Sequence, residues 1–203
     1  MYWKLERKRI PVLLTICALA SVLLSCHKEE SLNLKPVTYA QFESFVNETG
    51  YTTDAEKYGW SIVQIDVYNY TTSETATWRK PNGVHKVSSG QLPVTQVSYN
   101  DAIAYCNWAK KRLPSYEEYW AIASRDERVI VYNNKYPISA VDTVNVVGNV
   151  WDITQNDNNE RIRLAGGSLF CSETTCHGTV KERELYVDKE TGNINIGFSV
   201  LDL

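Results

Sequence analysis

The stretch PVTQVSYNDAIAYCNWAKKRLP, from Pro93 to Pro114, decides how the rest of the chain is read. Its middle carries Ile103 and Cys106, with Ala102 and Ala109 beside them. Residues three and four apart share one face of a helix, so this spacing predicts a helix from about Asn100 to Lys111. Leu113-Pro114 stops it, because proline has no N–H to give and disfavours helical backbone before it. Ser115-Tyr116-Glu117-Glu118 then forms a capping box. The serine oxygen takes an early helix N–H while the glutamate reaches back. A third helix therefore opens there and runs to about Ser124.

Working outward, Thr38-Tyr39-Ala40-Gln41 repeats the capping logic, and Phe42, Phe45 and Val46 follow at helical spacing. Gly50 stands where a glycine past the C-terminus belongs. The first helix is therefore expected over Tyr39 to Thr49. Between Tyr51 and Val97 the pattern is irregular, with a strand-like piece at Ser61–Val67 and a loop at Trp78–Gly83. Beyond Ser124, frequent Gly, Asn and Asp predict short strands and loops. The expected class is α+β with little regular secondary structure.

Composition agrees with one globular domain. The chain has 203 residues, 43% hydrophobic and 22% charged, enough for a single core but not two. A net charge of −3 gives no field to attract nucleic acid, so no nucleic-acid partner is expected. Thirteen Tyr and six Trp suit an irregular domain held together by large rings.

The first residues read as an address. Lys4, Arg7, Lys8 and Arg9 precede an apolar run from Ile10 to Leu24 that is short for a bilayer span and fits a secretory signal. The run ends in Leu23-Leu24-Ser25-Cys26, which resembles a lipobox. The resemblance implies lipidation of Cys26 and anchoring to a membrane through that lipid. An uncleaved anchor and an ordinary secretory signal are the alternatives. The expected organisation is a lipoprotein signal peptide over 1–25, a lipidated N-terminus and tether over 26–35, and a domain over 36–203. The expected location is a bacterial cell envelope, at the outer membrane, facing the periplasm or the surface.

Several short motifs now fall into one order. They are Phe42–Tyr51, Thr53–Glu56 with Gly59-Trp60-Ser61, the Trp78–Gly83 turn, and Pro93–Ser98 with Asp101–Ala109 and Lys111–Pro114. Asn145-Val-Val-Gly-Asn-Val-Trp-Asp152, Gly166-Gly-Ser-Leu-Phe-Cys171 with Cys176, and Asn195-Ile-Gly-Phe198 complete the series. Together they resemble the formylglycine-generating enzyme, or sulfatase-modifying factor, family. The resemblance implies that family's fold, which is related to C-type lectin-like domains.

It also implies a chemistry. Cys171 and Cys176 match a pair that holds Cu(I), leaving room for a substrate thiolate and O2; soft sulfur ligands select Cu(I) over hard ions. The implied reaction oxidises a cysteine of a protein substrate such as a sulfatase to Cα-formylglycine. Ser168 matches an active-site serine, so the implied catalytic set is Cys171, Cys176 and Ser168. Asn145, Gly148, Val150 and Asp152 match a calcium site built from side-chain and carbonyl oxygens. Trp78 and Trp151 are candidates to line a substrate groove.

The residues themselves leave alternatives open. Cys171 and Cys176 can close as a disulfide, as such pairs do in oxidising compartments. Asn145 to Asp152 can be a tight turn that bonds its own backbone. Trp78 and Trp151 can be core, and Cys106 on its apolar stripe reads as a buried free thiol. His85 and His177 lack an evident partner. Departures from the family accumulate as well. Its Gly-Gly-x-Phe-x-Met-Gly segment has no counterpart, the arginine-rich run after the second cysteine is replaced by Gly178–Arg183, and Ser199 stands where Gly-Phe-Arg would end. Two functions follow as expectations: a copper-dependent oxidase of a protein cysteine, or a non-catalytic interaction module with an envelope protein partner.

Overall fold

The computed structural model describes residues 34–123, 148–156, 161–171 and 185–203. All belong to one unit, Leu32–Leu203. The elements run β1 (Lys35–Pro36), α1 (Tyr39–Thr49), α2 (Asp54–Tyr58), β2 (Ser61–Gln64), β3 (Tyr70–Ser73), α3 (Tyr99–Ala109), β4 (Lys111–Arg112), α4 (Tyr116–Ala123), β5 (Trp151–Ile153), β6 (Ile162–Ala165), β7 (Leu185–Val187), β8 (Ile196–Gly197) and β9 (Ser199–Asp202). No helix among the described residues is long and apolar enough to cross a membrane.

Local chemistry sets the helices. The Thr38 hydroxyl accepts from Gln41 N–H, and the Gln41 side chain returns the bond, starting α1; Gly50, at φ 66°, ends it. Phe42, Phe45 and Val46 form its buried face. Helix α2 uses the same device, Thr53 with Glu56, and ends at Gly59. Helix α3 is capped by Ser98 and Asp101 and ends at Lys110, a non-glycine residue at φ 56°. Its buried face is Tyr99, Asp101, Ala102, Tyr105 and Cys106, whereas Ile103 and Ala109 are only partly buried. The stripe read from the sequence is thus rotated toward Tyr105. That ring packs on Phe42, Phe45 and Phe198, with centroids 6.0, 5.7 and 5.4 Å away. Aromatic area outweighs that of the small residues the pattern favours.

The described strands form three sheets. One has the order β1-β9-β4, one is the β2-β3 hairpin, and one has the order β7-β6-β5-β8. Within the last, β5 runs antiparallel to β6 but parallel to β8, with Trp151 opposite Ile196 and Asp152 opposite Gly197. Gly197 is needed there: a Cβ would run into the Val94 carbonyl oxygen. The parallel pairing brings the C-terminal segment against β5, and so delivers Asn195 to the site described next.

A polar knot ties the helices together. Asp101 accepts from Ser98 N–H at 2.9 Å, Asp54 N–H at 3.1 Å and the Tyr51 hydroxyl at 3.0 Å. Asp54 accepts from the Ser98 hydroxyl at 2.7 Å and from Lys57 at 3.0 Å. Burial pushes the Asp101 carboxyl up to about 6, and the nearby Asp54 charge adds to this, while the bonds from Ser98, Asp54 and Tyr51 pull it back.

Candidate functional site

The site grows from the end of β6. Gly166 and Gly167 follow it at φ 87° and 76°, a region that costs an L side chain about 1–2 kcal/mol. These left-handed steps turn the chain back on itself. Gly148 N–H then donates to Gly166 C=O at 2.7 Å, and Leu169 N–H donates to Asn149 C=O at 2.8 Å. The Gly148–Asp152 segment and the Gly166–Cys171 segment are thereby fastened side by side.

Within the turn, Cys171 N–H donates to Ser168 C=O at 2.9 Å, and Ser168 N–H points at the Cys171 sulfur at 3.3 Å. Both residues are buried, each 1% exposed. Cys171 is disulfide-bonded. Reduced, Cys171 offers a soft thiolate already met by an N–H donor. Among the described residues no group of three or more His, Cys, Asp or Glu gathers that could hold a metal ion. A single thiolate of this kind is by its softness suited to Cu(I) rather than to a hard ion, and with Cys176 outside the described residues a second sulfur ligand is not among them.

Sequence reading misses the residues that complete this corner. Asn195, 1% exposed, donates through Nδ2 to the Ser168 hydroxyl oxygen at 2.9 Å and to Gln64 Oε1 at 2.7 Å. Asn195 is visible as part of the Asn195–Phe198 motif, but nothing local gives it a role. Gln64 carries no signal at all. A cavity of about 220 Å³ opens beside them, bordered by Gln64, Tyr70, Trp151, Asn195 and Ile196. Trp151 is a buried member of the core and also borders this cavity, so both of its sequence readings stand open. Trp78 is otherwise placed: it is 0% exposed, with Tyr39 and Phe42 against its ring and Arg79 stacked 4.0 Å from it. Packing by these three groups makes Trp78 a core residue. Neither that cavity nor a larger hollow of about 290 Å³, near Tyr58, Trp60, Asp188 and Glu190, has Ser168 or Cys171 in its wall; the smaller one is tied to Ser168 through Asn195.

The calcium set fares differently. Asn145 lies outside the described residues. Asp152 is buried, and burial pushes its carboxyl up to about 7, eased in part by hydrogen bonds from Ser199 and Tyr119. The Gly148 carbonyl accepts from Val150 N–H at 2.7 Å. Calcium needs six to eight converging oxygens, and anionic ones above all. Asp152 is the one carboxylate of the set, and with Asn145 outside the described residues the set is not assembled among them. Cys106 is free and buried, and burial pushes its thiol up to about 12, which leaves it inert.

Comparison with known proteins identifies the family, over a stretch that ends just before Ser168. Residues 31–166 match the family model of the sulfatase-modifying factor enzyme 1-like domain. The formylglycine-generating enzyme of Mus musculus is 28% identical over 70% of this chain and 57% of its own length. The inactive C-alpha-formylglycine-generating enzyme 2 of Bos taurus is 36% identical over 54% of this chain and 43% of its own. The chain thus spans about half the length of the curated relatives it matches. Among solved structures, PvdO from Pseudomonas aeruginosa superposes with a TM-score of 0.56 at 15% identity, covering 83% of this chain and 78% of that one, a likeness of fold. With two thirds of its length matched by the family model and its fold shared with a solved relative, the chain belongs to the sulfatase-modifying factor enzyme 1-like family.

Proposed function

We propose that this protein is an oxidase of the formylglycine-generating type, acting on a cysteine of a protein substrate such as a sulfatase. The observation that carries the reading is the buried Ser168–Cys171 turn, with an N–H donor on the sulfur, beside a cavity edged by Trp151 and Asn195. Cys171 and Cys176 would hold Cu(I), which supplies one-electron chemistry with O2. Ser168 would orient the reacting group through its hydroxyl. Trp151 and the apolar wall around Ile196 would keep water from the sulfurs.

The overall conversion balances in atoms and electrons. The substrate's thiol-bearing methylene loses two electrons and becomes an aldehyde, its sulfur leaving as hydrogen sulfide. Two external thiols supply the other two electrons and close as a disulfide. O2 takes all four, one oxygen entering the aldehyde and the other leaving as water. The Cys171 disulfide would be the resting, metal-free form, opened by the same thiol reductant.

In this reading the protein is held in the bacterial envelope, at the outer membrane, by lipid on Cys26. A second reading is a non-catalytic module that binds an envelope protein partner. Its support is the inactive relative, more similar over its matched stretch than the Mus musculus enzyme, and the replacement of the arginine-rich run by Gly178–Arg183. O2 uptake with a cysteine-containing peptide, copper and a thiol reductant separates the two. Uptake matched by aldehyde formation, and lost in Cys176→Ser, supports the oxidase. No uptake in the copper-loaded protein leaves the module.

A further inference from the structure

We infer that the hollow beside Tyr58 and Trp60 is a binding site for an organic cation, an alkylammonium group held by two aromatic rings and two carboxylates. Its volume of about 290 Å³ lies at the small end for ligand sites, roughly 300–1,000 Å³, so the group it takes is compact. Tyr58 is the last residue of α2, and Gly59, at φ 72°, turns the chain out of the helix into Trp60. Both rings are in the wall, 53% and 47% exposed, although side chains this large are ordinarily covered. Asp188 and Glu190, on the loop after β7, complete the wall with Ser61 and Thr191. The Gly59-Trp60-Ser61 motif of the sequence thereby gains a role that the Cys171 turn does not give it.

The polarity of the wall selects the ligand. A hydroxyl has one proton to give, and each hydroxyl here has given it within the protein. Ser61 donates to Gln96 Oε1 at 2.6 Å, Thr191 donates to Asp188 Oδ2 at 2.7 Å, and Tyr58 donates to Glu190. The backbone N–H groups of Glu190 and Thr191 are taken up by Asp188 Oδ1, at 2.8 and 2.7 Å. A phosphate, a carboxylate or a sugar would find at most the Trp60 indole N–H to meet its oxygens. Asp188 stays ionised: partial burial pushes its carboxyl up, but the bonds from Thr191 and Glu190 hold it below the usual carboxylate range. Among the described residues no Lys, Arg or His borders the hollow. Lys57, beside Tyr58 in the chain, is held by Asp54 at 3.0 Å.

Two rings and two carboxylates, with no cation of their own in the wall, suit an ammonium carried on methyl or methylene groups. The rings attract the charge and pack against the carbon around it. A bare metal ion is served less well, because both oxygens of Asp188 are already bound inside its own loop. The chemistry is shared by a small quaternary amine and by the lysine side chain of a protein. Ser168 and Cys171 are not in this wall, so the inference does not rest on the proposed function.

The test titrates the full chain with choline and, separately, with Nα-acetyl-lysine amide, read by NMR at the Trp60 indole N–H and at the ligand's own signals. Saturable binding of at least one of them is expected, weakened by added salt. The neutral isostere of choline, with carbon in place of nitrogen, has the same shape without the charge and should bind at least about tenfold more weakly. Trp60→Ala removes one ring and should weaken binding about fivefold, read from the ligand signals. Asp188→Asn keeps an acceptor for the two loop N–H groups but drops a charge, and should weaken binding about threefold. Glu190→Gln reads the same quantity from the second carboxylate should Asp188→Asn disturb the loop. Tighter choline binding supports a small quaternary amine as the ligand, and tighter binding of the lysine derivative supports a protein side chain. No binding of either cation, equal binding of the neutral isostere, or affinities unchanged in both the ring and the charge variants overturn the inference.

Discussion

The backbone N–H of Ser168 lies 3.3 Å from the sulfur of Cys171, inside a turn that two left-handed glycines create. The sulfur thus carries a donor that no side-chain substitution at Ser168 removes. Under the proposed function, this would separate what the turn does for a bound ion from what the hydroxyl does for the reaction.

Ser168→Ala should therefore leave Cu(I) affinity within about threefold while lowering kcat/KM for a cysteine peptide at least about tenfold, about 1.4 kcal/mol. Parallel Cu(I) competition and O2-uptake assays measure the two quantities. Equal losses in both would contradict the division of labour.

Gly166→Ala and Gly167→Ala place a Cβ in left-handed backbone. Each is expected to cost about 1–2 kcal/mol of stability and to slow peptide oxidation by displacing the Cys171 sulfur. Urea unfolding and turnover report the two effects. Full activity in either variant would mean that the turn does not set the sulfur.

Gly197→Ala tests the fold away from the sulfur. The added methyl meets the Val94 carbonyl, and β5, β8 and the Val94 segment cannot all keep their places. The expected loss is about 3 kcal/mol, read as a lower urea midpoint with unchanged slope. A loss under about 1 kcal/mol would contradict the tight approach.

These contrasts show what is legible in the residues alone. Helices α1 and α4 are legible because their signals are local: Thr38 with Gln41, and Ser115 with Glu118, sit three apart, and the hydrogen bonds form as read. Helix α2 escapes the sequence reading although Thr53 and Glu56 carry the same box; five residues leave no periodicity to notice. Ser168 and Cys171 are legible because they share a turn. Gln64 and Asn195 are 131 positions apart and meet only because β8 pairs in parallel with β5 and β2 ends against Asn193. No local pattern encodes that meeting. Trp78 is ambiguous for a related reason: which rings surround it depends on how α1 packs.

Stability should fall as pH rises from about 4 to 7. Asp101 is pushed up to about 6 and Asp152 to about 7, both by burial. Between the unfolded value of about 4 and these values, the native state holds protons that the unfolded chain has released. By linkage, unfolding free energy then decreases with pH. Asp101 alone accounts for about 3 kcal/mol across its window. Glu118, held down to about 2 by Arg112, has the opposite sign but acts only below about 4.5. Urea unfolding at about pH 4.5, 5.5 and 7 checks this. A flat or rising profile would contradict it.

Calcium should be without effect. Because burial pushes the Asp152 carboxyl up to about 7 and so disfavours the anion that calcium needs, millimolar Ca2+ or a chelator is expected to leave the melting temperature unchanged. A rise of several degrees with Ca2+ would mean that the Asp152 carboxylate can turn to a cation after all.

The central claim is that the Cys171 sulfur and that of Cys176 grip a soft monovalent ion. An anaerobic Cu(I) titration of the reduced protein, against a chromophoric competitor, tests it most directly. The expected result is tight binding of one ion per chain, abolished in Cys171→Ser and in Cys176→Ser alike. Weak binding that survives both substitutions would contradict it.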